Sequence, residues 1–195
     1  QTFKKVVFRM DFLHRTWAEI DISALVHNFK TIKNSACGCK IMSVVKANAY
    51  GHSVSYIAPK LQELGTDFFA VSNINEALQL RKIGITKPIL ILGYTPVEMA
   101  TILHDTDLSQ CVYSSDYAIA LSNEAKKSDI KLKIHIKLDT GMSRLGFNCR
   151  TEELLEINDA INASKFDCFL LEGIFTHFAS ADRNKNHDDG FTDKQ

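Results

Sequence analysis

From Trp17 onward, short apolar runs take turns with segments whose apolar residues recur at helical spacing. Asp21 or Ser23 can cap a first helix with apolar residues Ile22, Leu25, Phe29 and Ile32. Ile41–Lys46 reads as a buried strand. Val54, Ile57, Leu61 and Leu64 predict the next helix, with Pro59 arguing for a kink or a late start. Phe68–Ser72 is a second strand. Asn73 with Glu76 has the form of a capping box, opening a helix that ends at Gly84. Pro88–Leu92 is a third strand, followed by a helix near Pro96–His104. Leu108–Tyr113 is a fourth strand and Asp116–Lys127 a helix. Lys131–Leu138 is a fifth strand and Glu152–Ala163 a helix. Cys168–His177 supplies a sixth strand, and the polar stretch Ala179–Gly190 follows.

Strand and helix alternating without hairpin turns predict parallel strands joined by helical crossovers. A doubly wound sheet and a TIM-type (β/α)8 barrel both meet that description. The fifth strand favours the barrel. Its Ile134, Ile136 and Leu138 alternate with His135, Lys137 and Asp139. The apolar set suits a face covered by helices. The polar set then points inward near the C-terminal mouth, where barrels hold their chemistry. A barrel needs eight strands and six are predicted, so the expectation is a barrel truncated after about six.

The chain has 195 residues, 45% of them hydrophobic, which is enough for one sizeable core. Its formal net charge is zero, which gives no basis for a nucleic-acid partner. No apolar run reaches the roughly 20 residues of a membrane helix. Five cysteines form no regular framework and fit reduced thiols in a cytoplasmic compartment. Cys37-Gly38-Cys39 has no second pair, so no metal is expected. The chain begins at Gln1 and stops at Gln195 where a new helix opens, which reads as a fragment. Residues 1–15 form a basic-apolar lead ahead of a 16–195 domain. The lead reads as a tag remnant or disordered tail, or as a juxtamembrane linker following a membrane domain.

Three stretches carry candidate chemistry. Lys46, in the run from Val44 to His52, ends the first strand. An amine there can form a Schiff base with an aldehyde cofactor, and Tyr50 can reach a phosphate oxygen. The plain alternative is a solvated charge. Lys137 lies inside the fifth strand, with Asp139 as a partner on the same side, and Arg144 follows a glycine-bearing loop. An ordinary Lys137–Asp139 salt bridge explains that pattern equally well. His177 ends the sixth strand, where it can meet a ring or be a satisfied core histidine.

Together, Thr16–Asp21, the Lys-Ala-Asn-Ala-Tyr-Gly-His run from Lys46 to His52, the Asp139–Gly146 run and Thr176–Asp182 resemble the alanine racemases. These are fold-type III enzymes that use pyridoxal 5′-phosphate. The resemblance implies that Lys46 carries the cofactor and serves as one of two acid/base groups. It implies that Tyr50 binds the cofactor phosphate and Arg144 its phenolic oxygen. His177 would lie beside the pyridine ring, and Met142, with Arg144, near the substrate. Lys137 matches a position that is often carbamylated. Ser53 departs from the pattern, which has glycine there.

The resemblance further implies a homodimer. A C-terminal β-domain, absent from this chain, supplies a tyrosine as the second base, so the fragment alone is expected to be inactive. The substrate is a small amino acid, alanine or serine. The lead resembles the layout of membrane-anchored serine/alanine racemases linked to vancomycin resistance. A non-catalytic pyridoxal-phosphate-binding barrel and a sugar- or phosphate-binding barrel without a Schiff base are the competing readings.

Overall fold

Asp21 opens the first helix, its carboxylate accepting the Ser23 and Ala24 amides at 2.8 and 3.2 Å. The computed structural model describes residues 16–150, 155–183 and 190–195, so the 1–15 lead lies outside the described residues. The chain forms two compact units, Gln1–Ile89 and Leu90–Gln195.

The first unit contains α1 (Ile22–Ser35), β1 (Met42–Val44), the short helical element α2 (Lys46–Tyr50), α3 (Val54–Glu63), β2 (Phe68–Val71) and α4 (Ile74–Lys82). β1 and β2 run parallel, with Met42 opposite Phe68 and Val44 opposite Ala70. Phe69, Ala70 and Val71 are fully buried, and Ile57, Ala58 and Leu61 of α3 are buried with them. Three expectations need correction. β1 is not buried throughout, because Met42 and Val44 are exposed. The α1 stripe is buried only at Phe29, and Ile32 is exposed. Pro59 neither kinks nor delays α3, which starts at Val54 and runs through it. The first turn is pinned by Tyr56 and Ile57 amides on the Ser53 carbonyl, and four apolar residues of the helix, Val54, Ile57, Ala58 and Leu61, sink into the core.

The chain crosses into the second unit inside β3 (Ile89–Ile91). A 3-10 turn (Val97–Met99), α5 (Ala100–Asp105), β4 (Leu108–Val112), α6 (Ser115–Lys127), β5 (Leu132–Asp139), β6 (Phe147–Asn148), α7 (Leu155–Ser164), β7 (Phe169–Phe175) and α8 (Phe191–Lys194) follow. β4, β5 and β7 are parallel neighbours, with a register shift between Ile134 and His135. Both faces of β5 are buried, Ile134 and Ile136 on one side and His135 and Lys137 on the other. A strand covered on both faces belongs to a layered α/β fold. β6 pairs with the end of β5 and is too short for alternation to reveal. Gly146 makes that pairing possible, since a Cβ there would stand 2.8 Å from the Asp139 nitrogen.

No helix among the described residues is long and apolar enough to cross a membrane. Among the described residues, no three His, Cys, Asp or Glu side chains gather as a metal site would need.

Candidate active site

The candidate residues divide between the two units. Lys46 and Tyr50 stand in the first, just past β1. Val45, buried, is tied to β2 through its amide on the Ala70 carbonyl at 2.9 Å. Lys46 then opens a backbone that no right-handed helix could supply. Ala47, Asn48, Ala49 and Tyr50 have φ of 51°, 54°, 54° and 55°. Each non-glycine residue held left-handed costs about 1–2 kcal/mol, so four in a row must be held by surrounding bonds.

Those bonds are present. The Ala49 amide donates to the Val45 carbonyl at 2.9 Å, and the Gly51 amide to Ala47 at 3.0 Å. The Asn48 side chain accepts the Val54 amide at 2.8 Å and so caps α3, where Ser53 makes no capping bond. The His52 ring meets the Ala49 carbonyl at 2.9 Å. The Ala47 amide donates to a carboxylate oxygen of Glu76 at 2.8 Å. The result is a rigid elbow that leaves the Tyr50 side chain exposed. Tyr50 and His52 also border a cleft of about 440 Å³ with Glu19, Asn28, Val44 and Val45.

The second unit carries Lys137, Met142, Arg144 and His177. Lys137 is only 5% exposed, on the polar side of β5. Its ammonium donates to the Leu138 carbonyl at 2.7 Å and stands 5.4 Å from the centre of the Phe175 ring. Burial lowers its pKa, and the nearby Arg144 lowers it further against the opposing pull of Cys111 and Asp139. The Lys137–Asp139 salt bridge weighed from sequence does not form within 4 Å. Asp139 instead accepts the Gly141 and Ser143 amides at 2.9 and 3.0 Å and faces Arg150 at 4.0 Å. Burial alone would raise the Asp139 pKa; the two amides, Arg150 and Lys137 outweigh it and hold it low. An ionised Asp139 thereby shapes the loop that carries Met142, half-buried, and Arg144, exposed.

His177 follows β7 and is exposed. Its loop is joined to the Arg144 loop by the hydroxyls of Thr140 and Thr176 at 2.7 Å. Deeper in the same unit, His135 is buried beside Glu172, Nε2 to carboxylate 3.5 Å. Burial lowers the His135 pKa against the pull of Glu172. Gly173 leaves that ring its space, since a Cβ there would lie 2.8 Å from Nδ1.

Sequence reasoning placed Asn48, Thr140 and Thr176 within motifs without a role of their own, and missed Glu76 as part of this machinery. Glu76 carried a signal only as a capping residue. Within the first unit, the donors suit pyridoxal phosphate: a half-buried amine at a strand end and an exposed phenol four residues on.

Residues 20–195 match the family described as alanine racemase, N-terminal domain. Alanine racemase 1 of Clostridium acetobutylicum is 43% identical over 172 residues, 88% of this chain and 44% of that protein. The solved alanine racemase of Clostridium difficile 630 superposes with a TM-score of 0.82 at 38% identity, over 94% of this chain and 47% of the other. A histidine racemase from Leuconostoc mesenteroides subsp. sake gives 0.77 at 30% identity, over 88% and 45%. The chain thus spans about half the length of the relatives it matches. These matches assign the α/β barrel class that the pattern of the fifth strand favoured.

Proposed function

The chain belongs to the alanine racemase N-terminal-domain family, whose members depend on pyridoxal 5′-phosphate, and from that premise we propose that it is the cofactor-bearing part of an amino-acid racemase interconverting L- and D-alanine. The single observation that carries the assignment to a residue is Lys46, set at the end of a parallel strand by a left-handed elbow. When bound, the cofactor supplies the electron sink that acidifies the α-proton of an amino acid. Lys46 holds the cofactor covalently and moves a proton at Cα on one face. With the cofactor bound, Tyr50 would donate its hydroxyl to a phosphate oxygen, Arg144 would serve the phenolic oxygen, His177 would support the ring, and Met142 would serve the substrate carboxylate.

Lys137 is proposed to carry a carbamate. Lys137 is buried, and repulsion from Arg144 adds to burial in disfavouring its charge. A carbamate on Lys137 converts that repulsion into an attraction that orients Arg144. Racemisation also needs a proton group on the opposite face of Cα. The family resemblance assigns it to a tyrosine of the partner subunit's C-terminal β-domain, so the working unit is a homodimer, and a cytoplasmic one. Serine is the alternative substrate. The likeness to a histidine racemase supports testing more than one side chain.

The deciding experiment is borohydride reduction of the protein with pyridoxal phosphate, then peptide mapping. The expected result is one stable label on Lys46 that Lys46→Ala abolishes. A label elsewhere, or none, refutes the assignment. Racemisation of alanine and serine by the full-length protein then ranks the substrates.

A further inference from the structure

Glu76 looks from sequence like the third residue of a capping box, and half of that box forms. The Asn73 side chain accepts the Glu76 amide at 3.1 Å. In a complete box the Glu76 carboxylate would return to the Asn73 amide. It goes elsewhere. One oxygen accepts both the amide and the hydroxyl of Ser72, at 2.8 and 2.7 Å. The other accepts the Ala47 amide at 2.8 Å, 29 residues away in sequence. One carboxylate therefore joins the end of β2 to the residue that follows Lys46.

We propose that Glu76 is a positioning residue for Lys46, the carboxylate brace that locks the left-handed elbow and so fixes where the lysine amine points. The functional half of this claim rests on Lys46 being the cofactor lysine. The mechanical half stands on the elbow alone. Ala47 is the first of four consecutive left-handed residues, and its amide points away from the bonds that close the elbow internally. Without an acceptor, that amide and the dihedrals beside it lose their restraint, and Lys46 is the adjacent residue. The brace needs an acceptor oxygen at this reach, which the ionised carboxylate supplies. Burial pulls its pKa up, but the bonds from Ser72 and Ala47 and the charge of Lys46 outweigh burial and hold it low. The position also needs reach: a shorter acid could still serve Ser72, four residues back and just ahead of the helix cap, but not Ala47.

The test uses Glu76→Asp and Glu76→Gln in the full-length protein. Asp keeps the charge and the helix-start role but loses the reach. Gln keeps the reach and one acceptor oxygen. Two readouts are taken: amide hydrogen exchange over residues 46–51 without cofactor, and the pyridoxal phosphate concentration that half-labels Lys46. Glu76→Asp should exchange at least roughly tenfold faster over that segment, with exchange in β5 unchanged. It should also need roughly tenfold more cofactor, while Glu76→Gln stays within about threefold of the parent. A merely structural glutamate would be replaced better by Asp than by Gln, so the order of the two variants decides. Parent-like exchange and labelling in Glu76→Asp overturn the brace. If Lys46 takes no label in the parent protein, the cofactor assignment fails and the exchange result alone judges the brace.

Discussion

The hydroxyl of Thr140 donates to that of Thr176 at 2.7 Å, and the direction of this bond is fixed by a third group. Thr176 has one proton, which it gives to the Leu138 carbonyl at 3.1 Å. The same carbonyl accepts the Lys137 ammonium at 2.7 Å. One peptide oxygen thus ties together the loop before Arg144, the loop before His177 and the buried lysine.

Thr176→Val should break that junction while keeping shape. It leaves the Thr140 proton and part of the Leu138 carbonyl unmatched, which costs about 1–3 kcal/mol. For a chain of this length each kcal/mol moves the melting temperature by roughly 2–4 °C. Thr176→Ser keeps the hydroxyl and should fall much less. Thermal melts of both variants check the point, and equal losses would show that the methyl group, not the bond, matters.

Ser53 stands where the family pattern has glycine, and its backbone explains the pattern. Its φ of 69° with ψ of 94° is a conformation that side chains avoid. Ser53→Gly should relieve about 1–2 kcal/mol of strain and lose about 0.5–1 kcal/mol to the greater freedom of the unfolded chain. The net expectation is a melting temperature raised by a degree or more. A lower melting temperature would mean that the serine hydroxyl makes a compensating contact.

The fold was legible because its repeating unit is longer than its local exceptions. The strands read as short apolar runs, and helices α1 and α4 show their spacing and their caps, at Asp21 and Asn73. The site was legible only as residue types at strand ends. Lys46 and Lys137 stood out because charges at those places need a reason. The supports around them did not stand out. A left-handed run of Ala-Asn-Ala-Tyr has no periodic signature, and Glu76 was read correctly as a helix-start acid while its second partner lay 29 residues away. Local rules see the residue that opens a helix but cannot see a bond to another strand's end. The Lys137–Asp139 pairing failed for a similar reason: backbone amides of the following loop compete for the carboxylate and win.

Lys137 should behave differently from a structural ion pair. Its pKa is lowered by burial, so the folded state holds the proton less firmly than the unfolded chain does. Folding stability therefore rises as pH climbs through the window between the folded and unfolded values, and at neutral pH the buried ammonium is a burden. In bicarbonate-free buffer, where no carbamate forms, Lys137→Met should then raise the melting temperature at neutral pH by a few degrees; with bicarbonate present it should bind the cofactor more weakly than the parent. In the parent protein, carbon dioxide can add to the neutral amine, forming an N–C bond and releasing one proton. Carbon-13 bicarbonate should give a carbamate resonance that Lys137→Met removes. Persistence of the resonance in that variant would move the modification to another lysine.

His135 sets the acid limit of the second unit. It is packed against Glu172 of β7, with Lys133 on its own strand, Ser109 of β4 bonded to the same carboxylate, and the Phe175 ring edge-on at 6.4 Å. Asp107 reaches this group through Lys133 at 2.6 Å. Burial lowers the histidine pKa, and Glu172 opposes that shift without cancelling it. The folded state thus binds fewer protons than the unfolded one below the ordinary imidazole value of about 6.5. Its stabilising contribution is complete above that value and is lost as pH falls towards the folded pKa. Denaturant unfolding between about pH 7 and pH 5 should show stability declining in the parent protein, and His135→Gln should flatten that decline. Raised salt should steepen it, by screening the Glu172 carboxylate that supports the protonated ring. An unchanged slope in His135→Gln would assign the acid sensitivity to other groups.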